Sequence, residues 1–94
     1  MPFIAVRWSH SDRQYPVELF SELDAERNEL RKVEIFADGR AQFADETAHT
    51  GDTALGIVPI PSLEEIAADP QCAPRVITAE EFRVVWTAAQ DKRE

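Results

Sequence analysis

Trp8, His10 and Asp12 stand at alternate positions near the start of the chain and carry side chains that could do chemistry together. An imidazole titrates near neutral pH, and a neighbouring carboxylate gives it an acid–base partner. The indole would offer a small ligand an aromatic surface. The same residues also suit a partly buried strand end that runs into an ordinary polar loop, and this structural interpretation is the simpler one.

A second group of titratable side chains surrounds His49, with Asp45, Glu46 and Asp52 close to it in sequence. Imidazole and carboxylate are acceptable ligands for zinc or a similar divalent ion. Their spacing matches no established ligand pattern, and a calcium loop counted from Asp45 lacks its closing glutamate. We therefore expect no metal site.

Nucleophilic and nucleotide chemistry have little support in this sequence. The single cysteine, Cys72, has no adjacent histidine or basic group that would activate its thiol. No serine stands in a G-x-S-x-G elbow, and three glycines are too few for a phosphate-binding loop or a dinucleotide fingerprint. The sequence thus predicts no cofactor and no catalytic nucleophile.

An acidic surface is the third candidate. Glu18 and Glu22 share one face of a predicted strand and Asp24 follows them, with Phe20 and Phe36 placed on a sheet face opposite the helices. Such a surface suits a basic protein partner, because charge complementarity accelerates encounter and buried aromatic groups supply binding free energy. A plain solvated face is the alternative, and a second helix, a dimer partner or the 45–61 loop could each cover the two rings.

A ligand site is the competing hypothesis. It would combine Trp8 and His10 with Arg31 and with Thr50 and Gly51 of the long loop. This hypothesis predicts a concave pocket that holds His10 and the loop together.

The elements that must position these residues form a single domain over residues 1–94. Period-2 alternation predicts four strands, and their short connections predict an antiparallel meander. The strands cover about 3–8, 17–24, 29–37 and 40–44. Asp38-Gly39 predicts a type I′ hairpin between the last two. Residues 45–61 have no helix or strand period and form a long loop.

Two helices are predicted after that loop by the same capping signature. Ser62 and Thr78 are each followed three residues later by a glutamate, which is a capping box. The second helix presents Phe82, Val85 and Trp86 at helical spacing. The fold class is therefore α+β, a four-stranded antiparallel meander covered by two C-terminal helices, and 76–77 could add a short edge strand.

Charge and hydropathy limit the classes of partner that the chain could bind. With 18 acidic and 10 basic side chains the formal charge is -8, which disfavours nucleic acid. No apolar run approaches the roughly 18 residues that span a bilayer, and the N-terminus has no signal-peptide pattern. A lone cysteine fits a reducing compartment. We expect a cytoplasmic protein that binds neither nucleic acid nor membrane.

Several blocks of the sequence resemble one family of short bacterial proteins that is classed only as a domain of unknown function. The blocks are VRW-x-H at 6–10, PVELFSELD at 16–24, RKVEIF-x-DGR at 31–40, TG-x-T-x-LG at 50–56 and P-x-LEEI at 61–66. The resemblance implies a small stand-alone bacterial cytoplasmic domain, and it brings no activity, cofactor or catalytic residue. Ser9 stands where the family is associated with a second histidine.

Together these observations favour a non-enzymatic protein-interaction domain, similar to an immunity or antitoxin protein, that binds a basic partner through its acidic face. A small-molecule-binding or hydrolytic protein is the alternative. A homodimer built on Phe20 and Phe36 is a third hypothesis.

Overall fold

The computed structural model describes residues 3–51 and 53–91. Within them, five strands form one antiparallel sheet in the order β4-β3-β2-β1-β5. The elements are β1 (Phe3–Trp8), β2 (Glu18–Leu23), β3 (Glu29–Ile35), β4 (Ala41–Asp45), α1 (Leu63–Ala67), β5 (Cys72–Val76) and α2 (Ala79–Asp91). The α+β class with an antiparallel sheet and two helices is confirmed, and β1 to β4 are neighbours in chain order within the five-stranded sheet.

The fifth strand corrects the predicted strand count. β5 pairs with β1 at the edge of the sheet, with Val6 opposite Pro74 and Trp8 opposite Cys72. Its sequence, CAPRV, has little β-branched or aromatic content, and a proline argues against a central strand. An edge position tolerates that proline, because only one side of the strand must supply hydrogen bonds.

The β3–β4 hairpin is tight, but its turn differs from the predicted type I′. The Gly39 N–H donates to Phe36 O at 2.9 Å, and the Phe36 N–H donates to Arg40 O at 2.9 Å. Only Gly39 has a positive φ here, at 91°, so the connection is a three-residue loop with one left-handed glycine.

Both predicted capping boxes are present. At α1 the Ser62 hydroxyl accepts from the Glu65 N–H, and the Glu65 carboxylate accepts from the Ser62 N–H. At α2, Thr78 and Glu81 make the same reciprocal pair. These bonds satisfy backbone donors that a helix start leaves free.

The two faces of the sheet are covered differently, and we call them the helix face and the loop face. On the helix face α2 packs Phe82, Trp86 and Ala89 onto the sheet. The sheet contributes Ala5, Phe20, Val33 and Phe43. The loop face is covered by residues 53–61 and α1. Among the described residues, no helix is long and apolar enough to cross a membrane.

Candidate functional site

The five residues of the predicted acidic face do not all lie on one surface, because Glu18, Phe20 and Glu22 share the helix face and Phe36 does not. Phe20 is 6% exposed and lies in the core beneath α2, so its placement opposite the helices is wrong. Phe36 is buried on the loop-face side, where the Arg40 guanidinium lies 4.5 Å from its ring centre. The cause is register: Phe20 pairs with Val33, and residues paired directly across two strands point to the same face. Both rings are buried within the chain, which removes the basis for a dimer built on them.

The acidic side chains of that face have partners inside the chain. Glu18 pairs with Arg7 at 3.5 Å, and Glu22 pairs with Arg31 at 2.5 Å. The Asp24 carboxylate closes a turn by accepting from backbone N–H groups, and the bond from Asn28 is the main cause that holds its pKa below the ordinary value. These three carboxylates therefore make contacts within the domain.

Arg31 belongs to the helix face. Its guanidinium carbon lies 5.0 Å from the ring centres of both Phe82 and Trp86, and its Nε donates to Glu22. Cation–π contacts of this kind favour a partly desolvated arginine. The residue therefore fastens α2 to β3, on the side of the sheet opposite Trp8.

Trp8 and His10 do come together, and Tyr15 joins them. The imidazole lies 4.4 Å from the indole, and Tyr15 lies 5.8 Å from Trp8 between ring centres. Both imidazole nitrogens are used, since Nε2 donates to Pro16 O at 2.8 Å and Nδ1 accepts from the Asp12 N–H at 3.0 Å. The hydrogen bonds give His10 a structural role in shaping the β1–β2 connection.

Thr50 and Gly51 lie at the β4 edge of the sheet, far from Trp8 on β1. Thr50 bonds to Phe43 of β4 through both its hydroxyl and its N–H. Two strands separate β4 from β1, which corresponds to roughly 14 Å. The pocket predicted to hold His10 and Thr50-Gly51 together is not formed.

The loop face instead carries a buried polar network that the sequence reasoning missed. Glu29 is 8% exposed; its Oε2 accepts from Ser21 Oγ at 2.9 Å and its Oε1 from the Gly56 N–H at 2.7 Å. Lys32 lies 3.5 Å from Glu29 Oε1 and donates to Ala54 O at 3.0 Å. The network joins β2 and β3 to the long loop.

A second part of this network holds the loop over β4. Thr53 is 2% exposed, and its Oγ1 lies 2.7 Å from Glu34 Oε1 and 2.9 Å from Gln42 Oε1. Part of the signal was available in the alternation, because Lys32 and Glu34 occupy the same face of β3, whereas Ser21 joins them through the pairing of β2 with β3. What the sequence could not show is that a loop would bury them.

Beside the network lies an apolar cavity of about 300 Å³ that is open to solvent. Val6, Trp8 and Leu19 form its floor, and Ile60, Pro61 and Ile66 lie across from them. Ser21, Glu29 and Lys32 line its polar end. Of the predicted ligand-site residues, only Trp8 lines this cavity.

Cys72 also lines the cavity, and its surroundings make it a weak nucleophile. Burial raises the pKa of its thiol, and the nearby Asp69 charge raises it further. In the described part of the chain, no three histidine, cysteine or carboxylate side chains converge as a metal site. Asp52 of the metal hypothesis lies outside the described residues.

Comparison with known protein families gives one match for this chain. The model titled "Domain of unknown function (DUF6881)" matches residues 2–91. The chain belongs to the DUF6881 family. This match confirms the resemblance to a domain of unknown function, and it spans every strand and helix of the fold.

Neither a curated protein nor a solved structure matches this DUF6881 domain. The family description names no activity.

Proposed function

We propose that this DUF6881 domain is a non-enzymatic protein-interaction domain that binds a basic protein through the tip of its long loop. One observation carries the proposal: Ile57 and Val58 are 97% and 64% exposed at adjacent positions. Adjacent apolar side chains that are exposed to solvent form a patch of the kind that marks contact surfaces. This surface replaces the acidic face that the sequence suggested.

Both ends of this tip are held by hydrogen bonds. On one side the Gly56 N–H donates to the buried Glu29. On the other side the Ile60 N–H donates to Arg27 O at 2.8 Å, and Arg27 Nε donates to Ile60 O at 2.8 Å. A loop that is already held in place loses less conformational entropy when it binds.

The charge around the tip suits a basic partner. Glu64 and Glu65 are exposed in the first turn of α1, and Glu26 is exposed next to the Arg27 anchor. The whole chain carries a formal charge of -8, which steers a basic protein toward it. A small acidic domain that neutralises a basic protein would act as an immunity or antitoxin protein does.

The experiment compares three baits in lysate of the native cells: the wild-type chain, Ile57→Asp with Val58→Asp, and Val84→Asp as control. Val84 is an exposed valine on α2, 58% accessible, so its variant adds a charge away from the loop. A protein held by the wild type and by Val84→Asp, but not by the loop variant, is then purified and titrated directly at low and high salt.

We expect that protein to be basic, to bind at least tenfold more weakly to the loop variant, and to lose affinity as salt rises. Circular dichroism should show the same fold for all three baits. Equal binding by the loop variant would contradict the role of the tip. An acidic or neutral partner with salt-independent affinity would contradict the charge argument.

A further inference from the structure

The apolar cavity on the loop face has the features of a small-molecule site. Its volume of about 300 Å³ is at the lower end of the range for ligand pockets. A ligand with two fused rings, or a branched aliphatic group of similar size, would therefore fill it.

The polar end of the cavity determines which ligand fits. Ser21 Oγ donates its proton to Glu29 Oε2, so the hydroxyl retains its acceptor lone pairs. The Lys32 ammonium is directed to Ala54 O, Glu29 and Glu34, at 3.0, 3.5 and 3.8 Å. Its hydrogen bond goes to Ala54 O and its charge is shared between two carboxylates, so the Ser21 hydroxyl and the Glu29 carboxylate keep acceptor capacity for a donor group.

The charge at this end is also uneven. Glu29 lines the cavity and Glu34 lies outside it, and the single positive charge of Lys32 faces both carboxylates. An ammonium group entering beside Ser21 and Glu29 would balance them and make charge-assisted hydrogen bonds. A carboxylate would face acceptors and like charge.

We propose that this cavity binds a small apolar amine, with its hydrocarbon body between Trp8 and Ile66 and its ammonium against Ser21 and Glu29. The site lies between the sheet and the loop. It does not depend on the protein contact proposed for the loop tip.

The test is a titration of the ¹⁵N-labelled full chain, followed by NMR. Four matched probes are used: 2-naphthylmethylamine, 2-naphthylmethanol, 2-methylnaphthalene and 2-naphthoic acid. The two tryptophans serve as reporter and control, because Trp8 lines the cavity and Trp86 lies in the core on the opposite face.

We expect the amine to shift the Trp8 indole N–H saturably and to leave that of Trp86 unchanged. A charge-assisted hydrogen bond should make the amine bind about tenfold to a hundredfold more tightly than methylnaphthalene, with the alcohol between them and the acid weakest. The proposal is overturned if no probe saturates, if Trp86 shifts as much as Trp8, or if the acid binds as tightly as the amine.

Ile66→Trp tests the location, because a larger ring at this position fills the cavity. It should weaken binding of the amine at least tenfold, whereas Val84→Trp on the opposite side should leave the affinity unchanged. Undiminished binding by Ile66→Trp would place the ligand elsewhere and overturn the assignment.

A second measurement covers the case in which Ile66→Trp does not fold. The amine should slow modification of Cys72 by a thiol reagent in the wild-type chain, because the thiol lines the same cavity. A modification rate that saturating amine leaves unchanged would also overturn the proposal.

Discussion

At the scale of single residues, Glu29 joins two strands of the sheet to the long loop. Its carboxylate bonds to Ser21 of β2 and to Gly56 of the loop, and it pairs with Lys32 of β3. A buried ion pair adds little net stability compared with a well-packed apolar pair, but removing one partner leaves the others desolvated and unpaired. The free energy of unfolding should therefore be sensitive to this position.

Glu29→Ala should lower the free energy of unfolding by about 3 kcal/mol, because it leaves the Gly56 N–H without its acceptor and removes the nearer of the two carboxylates that pair with Lys32. Urea unfolding measures the change. Glu26→Ala, at an exposed carboxylate three residues earlier, is the matched control and should stay within about 0.5 kcal/mol of wild type. Equal losses in the two variants would show that the buried network contributes nothing.

Asp24 gives a pH-dependent prediction. Hydrogen bonds, first of all from the Asn28 N–H, hold its pKa below the ordinary value of 3.8. A carboxyl group with a lowered folded-state pKa stabilises the fold above its unfolded pKa, and this contribution disappears as pH falls through the folded value.

Asp24→Ala should therefore lower the urea midpoint at pH 6, and the difference from wild type should shrink as pH falls below about 3.8. Urea unfolding at a series of pH values measures both midpoints. A difference that stays constant from pH 6 to pH 3 would show that the turn bonds do not depend on the ionised carboxylate.

At the scale of elements, hydrogen bonds to the sheet hold the long loop in one conformation. Its first part protects the exposed edge of β4: Thr50 bonds to Phe43, and His49 forms a bridge with Ala44. Unpaired edge strands invite pairing with another chain, and a loop laid along the edge prevents this. The turn that allows the approach contains Gly51.

Gly51→Ala should destabilise the domain more than Gly39→Ala, and the comparison separates backbone strain from crowding. Both glycines have positive φ, at 58° and 91°. A Cβ at Gly51 would lie 2.4 Å from the Gln42 side chain, which also contacts Thr53, whereas a Cβ at Gly39 meets nothing within 4 Å.

We expect a loss of about 1 kcal/mol for Gly39→Ala from backbone strain alone, and of about 2 to 3 kcal/mol for Gly51→Ala. Thermal and urea unfolding of the two variants test the order. If the two losses are equal, Gln42 moves aside without cost and the loop is less tightly packed than its contacts indicate.

At the scale of the whole molecule, the domain has two unequal layers on one sheet. The helix face contains the larger apolar core, with Phe82 in contact with Phe3 and Trp86 at ring-centre distances of 5.5 and 6.0 Å. On the loop face, hydrogen bonds hold the long loop to the sheet, and α1 packs there beside the cavity. Most of the hydrophobic stabilisation should therefore come from α2.

Phe82→Ala should lower the free energy of unfolding by about 3 to 5 kcal/mol, because Phe82 is fully buried and its removal leaves a cavity under α2. A domain of this size has a total stability of about 5 to 10 kcal/mol, so the variant should be partly unfolded at 37 °C. Circular dichroism on heating tests this, with Val84→Ala as control. A melting temperature close to that of wild type would contradict the assignment of the main core.

Local signals in the sequence determined the type and order of most elements. Ser62-Glu65 and Thr78-Glu81 predict helix starts because a capping box is complete within four residues. Alternation along 3–8 and 17–24 predicts strands because successive side chains point to opposite faces. Each of these signals acts over a few residues, and the structure confirms them.

Tertiary structure alone decided which side of the sheet each residue occupies and what covers it. Pairing Phe20 with Val33 puts Phe20 under α2, and a shift of one residue would have put it on the loop face. The burial of Glu29 and Thr53 depends on where a loop lies that has no periodicity of its own. Strand register and loop docking both depend on contacts between residues that are far apart in the sequence. The net free energy of those contacts depends on the complete fold, so no short stretch of sequence determines it.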